Sequence, residues 1–300
     1  MPTPIDDLCE RLTLEPLDRD LFLGNPGEGE FRLFGGLVAA QSTMAAIATL
    51  SEEEKGSQAG GSLLHSIHAY FLRPGSYDRP IRFVVDRIRD GRTFTTRRVV
   101  AHQNGEAIFN MSASFARPEE GMSFQRPAPR IDGPDGLPEW TDVRNKGLGL
   151  PPPKVYDNPI EVRVLDENEF AEGQPKDPVR SVWMRPRGVI PNDPDLHTAI
   201  LIYATDRTLI ATAMKGAGGV PMKTHMGSSL DHAVWLHHPI HWDDWIILSS
   251  VSPIAQHARA LIFAGMYDTR GVQLASIAQE ALVRERRREP NAGRSALSGL

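Results

Sequence analysis

The chain has almost no cysteine: Cys9 is the only one in 300 residues. That excludes an intrachain disulfide and suits a reducing compartment. Long apolar runs are missing too. No stretch approaches the roughly 20 apolar residues of a membrane helix. Met1-Pro2-Thr3-Pro4-Ile5-Asp6-Asp7 has no basic and then apolar segment, so no secretory leader is expected. Ser298-Gly299-Leu300 is not a peroxisomal Ser-Lys-Leu ending. These absences lead us to expect a cytoplasmic protein. Positive charge is not in excess either. The net charge of -5 argues against general nucleic-acid binding.

Several chemical motifs are also missing. There is no G-x-S-x-G elbow, so a Ser-His-Asp hydrolase is unsupported. Gly24 to Gly36 is rich in glycine, but Arg32 stands where G-x-G-x-x-G needs its third glycine. Gly216 to Gly219 fails in the same way, and no Walker loop, HExxH or C-x-x-C occurs. His237, His238 and His241 invite a metal reading. Strand geometry sends His237 and His238 to opposite faces, and Pro239 breaks the spacing, so no metal and no other cofactor is expected.

What is present is a repeat. Leu37 to Leu50 reads as a helix, with Leu37, Gln41, Met44 and Ala48 on one face. Strand-like stretches follow at Leu63–Arg73, Pro80–Arg89, Arg92–Gln103 and Glu106–Arg117. Asp90-Gly91 and Asn104-Gly105 mark hairpin turns between them. Asp18–Leu23 and Gly29–Leu33 are further strand candidates. The order recurs later. Asp193 and Pro194 open a helix that should run to about Met214. Strands at Leu230–His237, Trp245–Ser252, His257–Tyr267 and Val272–Arg284 come next, with Ile160–Leu165 and Val179–Arg185 ahead of the helix. In this register Gln41 faces Asp206, His68-Ala69 faces His232-Ala233, Gly105 faces Gly271, and Ala113 faces Gln279.

The expected class is α+β, with two helix-plus-antiparallel-sheet modules paired into one sheet. Residues 1–120 form the first module and 159–290 the second. Residues 121–158 are a Pro/Gly-rich connection, with one helical turn near Trp140–Gly147, and 291–300 are a frayed tail.

Only the second copy carries an acid within its helix. Ala199, Tyr203, Asp206 and Ile210 share one helical face, which sets a carboxylate in an apolar stripe. Such a group must be paired, hydrated or protonated. A structural acid paired with an arginine is the competing reading. Ser229, opening a strand, and Gln279, midway along the last one, are its candidate partners. Carboxylate, hydroxyl and amide together would suit a water-holding set. Ser228 is an adjacent hydroxyl that could take the place of Ser229.

At these residues the chain resembles the acyl-CoA thioesterase II family, whose members are double hot-dog proteins. The resemblance is carried by Phe34-Gly35-Gly36 and by His65-Ser66-Ile67-His68-Ala69-Tyr70-Phe71-Leu72-Arg73-Pro74-Gly75. Arg89-Asp90-Gly91, Arg97-Arg98-Val99, Gln103-Asn104-Gly105 and Ser112-Ala113-Ser114-Phe115 continue it. Tyr203-Ala204-Thr205-Asp206, Leu230-Asp231-His232 and Gln279-Glu280 complete it. It implies hydrolysis of fatty acyl-CoA to free acid and CoA, with Asp206, Ser229 and Gln279 as the catalytic set. Many members carry Thr where this chain has Ser229.

The first copy, with Gln41 and Ala113, would be degenerate. Backbone N–H groups at Gly35 and Gly36 are the oxyanion candidates. Arg97, Arg98 and the C-terminal arginines are candidates for the CoA phosphates. The expected partners are acyl-CoA and further copies of the same chain. Two rivals are an enoyl-CoA hydratase of the same fold, using Asp193, Asp195 and His197, and a non-catalytic acyl-CoA-binding protein.

Overall fold

The computed structural model describes residues 3–29, 32–51, 61–153, 155–170, 175–221 and 223–286. The tail from residue 291 and Arg287 and Arg288 of the arginine run lie outside these residues.

The first half opens with α1 (Pro4–Leu12), whose N-terminus is closed by a capping box between Thr3 and Asp6. Then come β1 (Glu15–Asp18), β2 (Leu21–Gly24) and α2 (Gly35–Ala48). The meander β3 (Leu63–Phe71), β4 (Ile81–Asp90), β5 (Phe94–Gln103) and β6 (Glu106–Ala116) follows. Asn104 and Gly105 turn between β5 and β6 at φ 55° and 80°, the left-handed values that Asn and Gly tolerate. The described residues of Gly29–Leu33 form no strand. The connection carries α3 (Trp140–Leu148), longer than the single turn expected. It lies along the second half: Asp132 O accepts from Trp183 Nε1 at 2.7 Å, and Gln125 bonds Gly271 and Gln273.

The second half repeats the order. β7 (Ile160–Val164) and β8 (Val179–Pro186) precede α4 (Pro194–Thr205) and α5 (Leu209–Gly216). Then come β9 (His225–Ser229), β10 (Asp231–Leu236), β11 (Ile246–Gln256), β12 (Arg259–Asp268) and β13 (Gln273–Glu285). The long second helix expected from Asp193 to Met214 is in fact two helices. The break falls at Asp206, the C-cap of α4. The β11–β12 turn was not legible: His257 and Ala258 take φ of 52° and 58° without the usual Asn or Gly.

The thirteen strands of the described residues join one sheet in the order β1-β2-β4-β5-β6-β3-β10-β13-β12-β11-β8-β7, with β9 also on β13. The seam between the halves is the antiparallel pair β3–β10, in which His68 faces Ala233 and Ala69 faces His232. Residues matched as repeat equivalents thus lie side by side across the seam.

α2 is apolar nearly all round, as a helix covered on all sides must be, and Gly36 to Ala40 are all buried. It packs on α4 and on β4, β5 and β6, while α5 covers β11, β12 and β13. One continuous core runs through both halves, from Ile5 in α1 to Ala281 in β13.

Candidate active site

The helix break sets the site. At the end of α4, Asp206 is 8% exposed, and its carboxylate reaches back between the two halves. Ser229 ends β9, whose ladder with β13 pairs Ser229 with Ala281. Two residues before Ala281 on β13, and so on the same face, stands Gln279. The sheet register therefore brings hydroxyl and amide together, and α4 delivers the acid to them. Ser229 Oγ donates to Asp206 Oδ1 at 2.8 Å, and Gln279 Nε2 donates to Ser229 Oγ at 3.0 Å. Ser228 is one residue earlier on the strand and points to the other face. Ser229 is the hydroxyl on the carboxylate.

Burial pushes the Asp206 carboxyl up to about 7, against the lowering effect of hydrogen bonds from Ser229, the Gly36 backbone and Gln279. It has no arginine partner among these causes, unlike the structural acids of the chain. Arg180, for example, clasps Glu169 at 2.7 Å, and both are buried.

Gly35 and Gly36 begin α2, and here a glycine is required. A Cβ on Gly35 would sit 2.5 Å from Phe71 Cε1 and 2.8 Å from Asp206 Oδ2. One on Gly36 would sit 2.5 Å from the carbonyl oxygen of Tyr203. Two bare residues let the N-terminus of α2 close onto the end of α4. The Gly36 N–H faces the Asp206 carboxylate and helps draw its pKa down, a partner other than the oxyanion expected of it.

Two further residues extend the cluster. His232 and Gln279 are cross-strand neighbours, one step beyond the pair Ala233–Ala278. His232 Nδ1 is 2.7 Å from Gln279 Oε1, and its Nε2 is 2.7 Å from Thr205 Oγ1. Burial pushes the ring down to about 4, so it is neutral at physiological pH. On the sequence His232 stood in the repeat register and in the family resemblance but was given no role. Its clue was a polar residue on an apolar strand close after Ser229, with Thr205 directly before Asp206.

Other candidates have other places. Arg97 is a correction: it is fully buried, not a surface cation. Its Nε donates to Thr49 Oγ1 at 2.8 Å, and its guanidinium pairs with Asp90 at 2.6 Å. The inward pleat of β5 selects Arg97 for this and leaves its neighbour Arg98 exposed. Gln41 is in mid-helix, not at a helix end like Asp206. Its Nε2 donates to Arg11 O at 2.7 Å and Asn25 O at 2.8 Å, tying α1 and the loop after β2 to α2. Ala113 is buried in β6 opposite Ile67 and Arg97. Asp193 caps α4 through Asp195 N and Leu196 N, and His197 Nδ1 accepts from Trp242 N at 2.9 Å. His237 bonds Ser276 and His241 pairs with Asp243, so the three neighbouring histidines do not converge.

At the far ends of α2 and α4 lies a cavity of about 590 Å³, lined by Ile47, Leu50, Leu64, Phe115, Thr198 and Leu236 among others.

Comparison with known proteins identifies the family. Residues 26–116 match the acyl-CoA thioesterase N-terminal domain, and residues 127–283 the acyl-CoA thioesterase C-terminal domain. The chain is 31% identical to acyl-coenzyme A thioesterase 8 of Mus musculus over 91% of this chain and 87% of the relative. It is 30% identical to acyl-CoA thioesterase 2 of Haemophilus influenzae over 93% and 98%. Among solved structures, the acyl-CoA thioesterase II TesB2 of Mycobacterium marinum superposes with a TM-score of 0.73 at 32% identity, covering 93% of this chain and 98% of that one. With its double hot-dog sheet and both domains matched in order, the chain belongs to the acyl-CoA thioesterase II family.

Proposed function

We propose that this protein hydrolyses the thioester of fatty acyl-CoA, releasing the free acid and CoA, by direct attack of water. Relatives named acyl-CoA thioesterases, similar over most of both chains, support the reaction. The observation that carries the mechanism is the contact of Asp206, Ser229 and Gln279 at the helix break.

Asp206 acts as general base. A carboxyl raised to about 7 is matched to proton abstraction near neutral pH. It takes a proton from water as the water oxygen bonds the thioester carbon. Ser229 and Gln279 hold the carboxylate and the water in line. The carbonyl becomes an oxyanion, and the Gly35 N–H at the start of α2 is our candidate to receive it. Unpaired donors and the helix dipole favour negative charge there. Collapse breaks the C–S bond, and the CoA sulfur leaves with the proton. Arg98, exposed on β5, remains a candidate for the CoA phosphates.

No described helix is long and apolar enough to cross a membrane. We read the protein as cytoplasmic, in keeping with its single cysteine. We also read it as assembling with copies of itself. Large apolar side chains such as Tyr70, Ile88 and Phe263 stand 58%, 59% and 45% exposed.

The test is release of free CoA thiol from a panel of acyl-CoAs. Turnover above the uncatalysed rate, lost in Asp206→Asn, is expected. Tight binding of acyl-CoA without thiol release would support the non-catalytic reading instead.

A further inference from the structure

We propose that His232, with its tautomer set by Thr205, is a positioning residue that holds the Gln279 amide in its working orientation. The inference rests on the reading of Asp206 as an ionised base. In that reading His232 and Thr205 themselves touch neither the attacking water nor the substrate.

Four hydrogen-bond contacts run in a chain from Thr205 to Asp206, and the protons available to them fix its arrangement. Thr205 Oγ1 to His232 Nε2 is 2.7 Å, and His232 Nδ1 to Gln279 Oε1 is 2.7 Å. Gln279 Nε2 to Ser229 Oγ is 3.0 Å, and Ser229 Oγ to Asp206 Oδ1 is 2.8 Å. An ionised carboxylate can only accept, so the one proton of Ser229 goes to Asp206. Ser229 must then accept from Gln279, which turns the NH₂ of the amide toward the carboxylate. The amide oxygen therefore faces His232 and needs a donor. A neutral imidazole has one donor and one acceptor, so Nδ1 carries the proton and Nε2 is bare. Thr205 must supply the proton on that side.

A competing arrangement exists. Thr205 Oγ1 also lies 2.6 Å from Ile202 O, and its one proton can serve that carbonyl instead. The ring would then carry its proton on Nε2 and the amide of Gln279 would have to turn over. Its oxygen would face a Ser229 oxygen that has no proton left to give. With Asp206 ionised, only the first arrangement places a proton in each of the four contacts. Thr205, His232 and Gln279 are all buried, so water cannot repair a lost contact. A freed amide would rotate, and half of its orientations would set oxygen against the hydroxyl on the base.

The imidazole and an asparagine amide place a donor at similar reach, which supplies the control. His232→Leu is expected to lower kcat by about tenfold to a hundredfold, the effect of one lost buried contact. KM should change by less than about twofold, because the ring touches no substrate. His232→Asn should recover most of the loss by donating to Gln279 Oε1. Thr205→Val should also lower kcat, and Thr205→Ser should restore it. Nitrogen NMR of the ring near pH 8.5, where Asp206 is ionised, should find the proton on Nδ1.

Three results overturn the proposal: wild-type kcat in folded His232→Leu, equal impairment in His232→Asn and His232→Leu, or the proton on Nε2. If His232→Leu does not fold, the Thr205 pair and the NMR measurement on the unaltered protein decide. Asp206→Asn, assayed alongside, separates the two readings. Unimpaired Asp206→Asn would remove the general base itself. Inactive Asp206→Asn beside unimpaired His232→Leu would remove only the role of His232.

Discussion

Gly36, at the start of a first-half helix, sets its backbone N–H toward the carboxylate of Asp206, at the end of a second-half helix, and draws that acid's pKa down against burial. The acid is thus flanked by both halves. Ser229 and Gln279 come from the second sheet, and the N-terminus of α2 comes from the first module. A positive helix end beside a buried acid favours its ionised form and offsets part of the desolvation. In the proposed reading the duplicated fold has one composite site, not one site per module.

Gly36→Ala tests that contact. Its methyl would press on the Tyr203 carbonyl, a backbone atom that cannot swing away. We expect a loss of about 1–3 kcal/mol of stability, as for an overpacked core. Activity should fall too, as α2 and α4 are pushed apart. Urea unfolding and thiol release check both; unchanged values would mean that the helices are not held this closely.

Asp206→Asn should lower kcat by about 10²–10⁴-fold, the usual contribution of a general base. It should also stabilise the fold at pH 8. The acid titrates near its ordinary 3.8 when unfolded and near 7 when folded. Its contribution to stability is therefore complete below about 3.8 and lost as pH rises through about 7. The melting temperature of the variant should exceed that of the wild type most at pH 8, with the gap closing toward pH 4. A variant less stable at pH 8 would show that the ionised carboxylate is well paired.

The pH profile follows from the same group. Only ionised Asp206 can take a proton. kcat/KM should fall about tenfold for each pH unit below about 7 and level off above it. His232, held near 4, titrates too low to shape this limb. A flat profile between pH 5.5 and 8.5 would take Asp206 out of the rate-limiting proton transfer.

Gln41→Ala should act on stability and Gln279→Ala on rate. Gln41 bridges two backbone carbonyls, whereas Gln279 bonds the hydroxyl on the base. We expect Gln279→Ala to lose about tenfold to a hundredfold in single-turnover rate. Gln41→Ala should stay within about threefold while melting earlier. Equal loss of rate in equally stable variants would place chemistry in the first module.

Arg97→Met keeps the length of the side chain and removes its charge. The Thr49 hydroxyl and the main-chain groups at the end of α2 would lose a buried donor. About 1–3 kcal/mol of stability should go, while the half-exposed Asp90 recovers water. A selective rise in KM for acyl-CoA with unchanged stability would return Arg97 to phosphate binding.

Much of this was legible along the chain. Asn104-Gly105 announced a hairpin because a two-residue turn needs positive φ, and His257-Ala258 hid one by adopting the same angles without that chemistry. Gln279 stood out as an amide among apolar strand neighbours, and Asp206 as an acid on an apolar stripe. The helix break at Asp206 did not, since Ala199 to Met214 keeps a helical pattern across it. Arg97 and Arg98 read alike as adjacent cations; the pleat of β5 buries one and exposes the other.

The sequence by itself determined the element order, the repeat, the family resemblance and which acid and amide stand out, but not the choice of Ser229 over Ser228. Those properties reside in local period, turn chemistry and residue type, which neighbours along the chain express. Only the tertiary structure decided that Gly36 meets Asp206, that His232 faces Gln279 and that Thr205 faces His232. Those contacts join residues 27 to 170 positions apart. They are set by the register of β10 on β13 and by how closely α2 approaches α4, and no local pattern encodes either distance.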